Sequence, residues 1–170
     1  MKNQNNLLGR GRWKRTFVLG VFSFGLLGIA IAQSAKPNFT GEWEMDSAKS
    51  DFGGFPKPTT ITRTIVQKDP ELTVTTTQRG ANGEQTAQAT YRTDGVDTTN
   101  HFNSGEGVSH AFWDGNTLVI RTGMKGRNNL EVELQERWTL SPDGKTLATA
   151  SHIETSKGST DLTLVCHRVK

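Results

Sequence analysis

The sequence predicts an all-β domain, an antiparallel up-and-down meander of about 8–10 strands closed into a barrel, with a two-sheet β-sandwich as the alternative. Three observations predict it. Apolar and polar residues alternate with a period of two along most of the chain, and Gly, Asp, Asn or Pro interrupts the pattern roughly every ten residues. No stretch of comparable length carries the 3.6-residue period of a helix. An open sheet of that size would expose unpaired backbone N–H and C=O rows at its edges, and closure removes them.

The elements follow in order. Phe39 to Met45 reads as the first strand. Residues 46–58 form the longest stretch without strand character, with Gly53-Gly54 between Phe52 and Phe55, then Pro56 and Pro58. Such a turn-rich loop carrying two aromatic rings either plugs the domain or lies as a lid over an opening. Residues 61–67, 72–78, 86–92 and 97–102 supply further strands. Asp114-Gly115-Asn116 turns the chain between strands at 107–113 and 117–122. Lys125-Gly126-Arg127 is the solvated tip of the next hairpin.

The clearest strand is Leu130 to Leu140. Leu130, Val132, Leu134, Trp138 and Leu140 share one parity, and Glu136 interrupts their apolar row. Glu136 is therefore a bulge, a mouth residue, or the partner of an inward arginine such as Arg168. Ser141-Pro142-Asp143-Gly144 reverses the chain, 147–155 returns, and 161–169 closes it with Leu162, Leu164 and Cys166 inward. The spacing around Lys157-Gly158 places His152 opposite residue 163.

Residues 1–32 are expected to lie outside the fold as a signal peptide. Lys2, Arg10, Arg12, Lys14 and Arg15 precede an apolar run from Thr16 to Ala32 that ends in Ala30-Ile31-Ala32, a small-x-small exit. Uncleaved, this run would serve as a membrane anchor. The expected location is periplasmic or secreted, and residues 33–170 form the single barrel domain. Five of the 20 basic residues and none of the 17 acidic ones lie in the leader. The remainder carries 15 against 17, a formal net charge of −2, so the basic balance of the whole chain gives no reason to invoke nucleic acid. Cys166 is the single cysteine, which excludes an internal disulfide.

Phe39-Thr40-Gly41-Glu42-Trp43 carries the pattern Phe-x-Gly-x-Trp at the first strand. It resembles the opening of the calycins, the lipocalins and fatty-acid-binding proteins. The resemblance implies an up-and-down lipocalin-like barrel holding a small apolar ligand, with Trp43 packed across the closed end and Gly41 letting the strand bend. Cys166-His167-Arg168-Val169 is similar to the last strand of fatty-acid-binding proteins, in which an Arg and a Tyr two residues on grip a carboxylate; Lys170 stands where that Tyr would be. In lipocalins a late basic residue stacks on the first-strand Trp instead. Three roles are open to Arg168: it stacks on Trp43 or caps an end, anchors a ligand, or lies in a solvated terminus. The chain also resembles secreted bacterial lipocalin-like proteins through Lys49-Ser50-Asp51-Phe52-Gly53, Trp113-Asp114-Gly115-Asn116 and the 138–145 segment.

Catalytic signatures are not evident. His101, His110, His152 and His167 have no metal-type spacing, and no nucleophile elbow, phosphate loop or dinucleotide fingerprint occurs. No catalytic residue, metal ligand or cofactor is assigned. The expected function is non-enzymatic binding of a small apolar or amphipathic ligand, with Trp43, Trp138, Arg168, Phe52 and Phe55 as candidate ligand-binding residues. The alternative is a structural or protein-interaction module of the cell envelope.

Overall fold

The computed structural model describes residues 35–81, 83–102, 105–126 and 129–169. The expected leader, Arg127 and Lys170 lie outside them. Ten antiparallel strands follow one another: β1 Gly41–Met45, β2 Thr60–Lys68, β3 Glu71–Gly80, β4 Gly83–Arg92, β5 Thr98–Phe102, β6 Gly105–Asp114, β7 Thr117–Lys125, β8 Glu131–Leu140, β9 Thr146–Thr155 and β10 Gly158–Arg168. They form one sheet in the order β4-β3-β2-β1-β10-β9-β8-β7-β6-β5. Every ladder joins sequence neighbours except β1–β10, where Trp43 stands opposite Arg168. The result is a nearly closed barrel, and the expected fold class holds.

Closure is completed at a seam rather than a ladder. β4 and β5 end the sheet on its two sides. The Asn100 side chain sutures them: Thr90 N–H donates to Asn100 Oδ1 at 2.8 Å, and Asn100 Nδ2 donates to the Thr90 carbonyl at 3.0 Å. Behind it, the Ser109 and Thr122 hydroxyls pair at 2.9 Å. A buried amide here imitates a backbone rung and satisfies the N–H and C=O of Thr90.

The interior is built from the inward parity of each strand. Trp43, Ile65, Leu72, Leu118, Ile120, Trp138, Leu147 and Cys166 are all buried. One end is closed by rings: Phe39 stacks on Trp113 with centroids 5.8 Å apart and meets Trp138 edge-on, also at 5.8 Å. Trp43 Nε1 donates to the Phe39 carbonyl at 2.9 Å, so this buried indole has its polar atom satisfied. Burying a Phe39-sized side chain contributes about 2 kcal/mol. Gly41 has φ 148°, a conformation that favours glycine, and lets Phe39 and Trp43 meet across the strand start.

One register differs from the sequence expectation. Thr155 pairs with Gly158, so His152 faces Asp161 rather than residue 163. A two-residue turn at Ser156-Lys157 accounts for the difference, because it pulls the return strand closer than the assumed centre. His152 Nδ1 lies 2.7 Å from Asp161 Oδ1 on the outer face.

Candidate ligand pocket

At the barrel end away from the Phe39 cluster, a pocket of about 480 Å3 opens between the 52–58 loop, β2 and β8–β10. The loop sits there because both its ends are tied. Asp51 and Thr163 exchange backbone hydrogen bonds at 2.8 Å in each direction, and Thr59 N–H donates to the Arg79 carbonyl at 2.8 Å. The segment therefore runs from β10 to β3 and passes over the mouth. Gly53 allows this approach: its φ is 54°, and a Cβ there would lie 2.7 Å from Thr160 Cγ2 and 3.0 Å from the Asp161 carbonyl oxygen. Phe52 packs against the core, while Phe55 remains 50% exposed at the rim. The loop forms one wall of the pocket instead of filling the barrel.

The walls are mainly apolar, from Phe52, Phe55, Pro56, Pro58, Ile61, Leu134, Ile153, Leu162 and Leu164. The polar residues of the lining are Arg63 of β2, Gln78 of β3, Glu136 of β8, Ser151 of β9 and Thr163 of β10. Arg63 takes the inward parity of Ile61 and Ile65, and Glu136 that of Leu134 and Trp138, so the strands aim both charges inward.

The Arg63 guanidinium lies 5.1 Å from the Trp138 ring centroid and donates from NH1 to Thr149 Oγ1 at 3.2 Å. Its Nε–H and the Trp138 indole N–H are buried without a hydrogen-bond partner among the described residues. Glu136 is buried, and burial pushes its carboxyl up from the usual carboxylate range; the Arg63 charge opposes this. The Trp138 N–H also favours the charged carboxylate, but it completes no hydrogen bond to it. Tyr91 is buried nearby. Its hydroxyl is pushed well up, first by burial and then by the Glu136 charge, with Arg63 acting the other way. Burial likewise raises the Cys166 thiol, against the Arg63 charge.

The sequence-predicted residues divide between the two ends. Phe52 and Phe55 line the pocket. Trp138 is buried beneath Arg63, joining the pocket side to the ring cluster through Phe39. Trp43 and Arg168 stand together elsewhere: the guanidinium lies 4.2 Å from the Trp43 centroid, donates from Nε to the Gly144 carbonyl at 2.9 Å, and bonds from NH1 to the Thr40 carbonyl. Neither residue lines the pocket. The basic neighbour of Glu136 is Arg63, not Arg168. Sequence reasoning missed Arg63, although its phase with Ile61 and Ile65 marks it as an inward cation.

The four histidines face outward, each beside a carboxylate: His101 with Glu106 at 3.7 Å, His110 with Asp97 at 2.9 Å, His152 with Asp161 at 2.7 Å and His167 with Glu44 at 3.8 Å. Among the described residues, no three His, Cys, Asp or Glu side chains gather at metal-binding distance.

No family model and no curated protein matches the chain. Solved structures do. Zebrafish ileal bile acid-binding protein complexed with cholic acid aligns with a TM-score of 0.54 at 19% identity, over 77% of this chain and 98% of that one. Secretory abundant heat soluble protein 4 from Ramazzottius varieornatus aligns at 0.50 and 13% identity, over 80% and 97%. Another secretory abundant heat soluble protein from the same organism aligns at 0.55 and 11%, over 80% and 98%. At these identities the likeness concerns the fold alone, a nearly closed antiparallel β-barrel of ten strands.

Proposed function

We propose that the protein binds a small apolar or amphipathic molecule in the pocket beneath the 52–58 loop. The observation that carries this reading is the pocket itself: about 480 Å3, mainly apolar in its lining, with Arg63 and Glu136 as its charged residues. That combination of an apolar cavity and a few convergent polar groups is the usual form of a small-molecule site. The fold it shares with a bile acid-binding protein supports the reading without identifying the ligand. The role is binding rather than catalysis, since the pocket acid faces a guanidinium instead of a histidine or a second carboxylate.

We further propose that the domain acts outside the inner membrane, after export directed by residues 1–32. The basic, apolar and small-residue order of that segment supports export. Cell fractionation with N-terminal sequencing of the recovered protein tests it; a start at Met1 in the cytoplasmic fraction rejects it.

Native mass spectrometry of the purified domain, together with displacement of a fluorescent apolar probe, tests the binding role. Leu134→Trp should fill the pocket and abolish probe binding while leaving the far-UV spectrum intact. Equal probe binding by wild type and Leu134→Trp would move the site elsewhere.

A further inference from the structure

We infer that the outer face of β2, β3 and β4 is an ice-binding surface, on which a grid of threonines holds water in positions that merge with a growing crystal. This goes beyond the pocket, which uses the inner face of the barrel.

Alternate residues of these strands point outward, and the ladders align them in rows. Thr62 of β2 stands opposite Thr77 of β3, which stands opposite Thr86 of β4. Thr64, Thr75 and Gln88 make the next row, and Val66, Thr73 and Thr90 the third. Seven of these nine positions are threonine, and Val66 has the shape of one. Charges border the grid without entering it. Arg79 and Glu84, bonded at 2.6 Å, lie beyond one end, and Lys68, Glu71 and Arg92 beyond the other. Threonine is favoured on any wet strand face. Yet the outward positions of β7 and β8 hold Arg121, Lys125, Glu131, Glu133 and Arg137, so propensity alone does not explain the contrast.

Sheet geometry sets the repeat of the grid at about 4.8 Å across the strands and about 6.7 Å along them. Oxygen repeats within ice planes fall in the same range. The side chains are also held in place. β-branched residues have few χ1 rotamers, and each row is bonded across β3 and β4. The Thr77 and Thr86 hydroxyls pair at 2.9 Å, those of Thr73 and Thr90 at 3.4 Å, and Gln88 Nε2 donates to Thr75 Oγ1 at 3.2 Å. Hydroxyls so fixed can bind waters at regular positions, while the methyls between them leave those waters to bond one another. Area and charge select the occupant. The grid covers roughly 300 Å2, against about 800 Å2 per partner in a stable protein interface. A neutral face also asks no ion to shed its water against a neutral crystal. Twist of about 20–25° between neighbouring strands confines the match to these three, so adsorption should be moderate.

Slow freezing of the purified protein onto a cold finger tests this, by measuring the fraction carried into the ice. Wild type should enter the crystal, where an ordinary solute is rejected. Thr75→Lys places an ammonium at the centre of the grid and should cut incorporation by about tenfold or more. Gln88→Thr completes the middle row and should raise incorporation severalfold. Thr139→Lys puts the same charge on an exposed position of β8 and should match wild type. Far-UV circular dichroism checks the fold of each variant, and Gln88→Thr, a strand-favouring change, keeps the test decisive should Thr75→Lys unfold. Rejection of wild type from the ice overturns the proposal, as does equal incorporation of wild type and folded Thr75→Lys. A loss in Thr139→Lys as large as in Thr75→Lys overturns it too, because incorporation would then follow charge alone. A dimer in analytical ultracentrifugation that Thr75→Lys disperses would assign the face to a second copy of the chain and overturn it as well.

Discussion

The guanidinium of Arg168 lies 4.2 Å from the centroid of Trp43, its cross-strand partner in the β1–β10 ladder. The same side chain reaches the carbonyls of Gly144, in the β8–β9 turn, and Thr40, just before β1. One residue thus ties the first strand, the last strand and a turn at the end of the barrel away from the pocket. Arg168→Ala is expected to lower stability by about 2 kcal/mol, from the lost cation–π contact and charge-assisted hydrogen bonds. Urea unfolding measures this, and ligand affinity should be unchanged.

Glu136 gives the free protein a pH-dependent stability of a definite sign. Its carboxyl is raised in the folded state, above the ordinary value of 4.5, mainly by burial. The folded protein therefore holds the proton more tightly than the unfolded chain. The stabilising contribution is complete below the ordinary value and is lost as pH rises through the raised one. Thermal unfolding followed across that range should show wild type losing stability and Glu136→Gln losing less.

The seam between β4 and β5 depends on one amide. Asn100→Ala removes both bonds to the Thr90 backbone and leaves a Thr90 N–H unpaired. The expected cost is about 2 kcal/mol. Hydrogen exchange should accelerate in β4 and β5 first, with β8–β10 retaining protection. Uniform acceleration across all ten strands would show that the seam is not a separate opening unit.

Gly53 holds the loop down over the pocket. Gly53→Ala forces a Cβ against Thr160 and the Asp161 carbonyl at a positive φ. A cost of about 1–2 kcal/mol is expected, expressed as lifting of the 52–58 segment. Stopped-flow dissociation of a bound fluorescent amphiphile should be faster than from wild type, with the barrel strands unaffected in their circular dichroism.

Much of the barrel could be read from the chain because its strands show one wet face and one dry face. The Leu130–Leu140 row announces the parity, and the interruption at Glu136 already marks the acid that the structure places inside. The Phe39, Gly41 and Trp43 pattern likewise leads to the ring-packed end. Two things were not legible. Arg63 sits among threonines in Thr60–Lys68, where a basic residue reads as solvated unless its phase with Ile61 and Ile65 is weighed. The basic neighbour of Glu136 comes from a distant strand, and only closure of the sheet decides that β2 rather than β10 supplies it. The seam was hidden for the same reason: nothing local in Thr98–Phe102 says that Asn100 must stand in for a missing backbone rung.

The β1–β10 ladder has a consequence for how the chain becomes a barrel. Every other rung can form as soon as two successive strands exist, whereas β1 keeps one bare edge until β10 is made. The Arg168–Thr40 bond alone closes 128 positions of sequence. Nucleation can begin in any hairpin, yet the ring itself shuts late, when the entropy of the longest loop is spent. A chain truncated before Gly158 would expose two unpaired edges for as long as it persisted, and its fate would be set by aggregation rather than by the stability of the nine strands it retained.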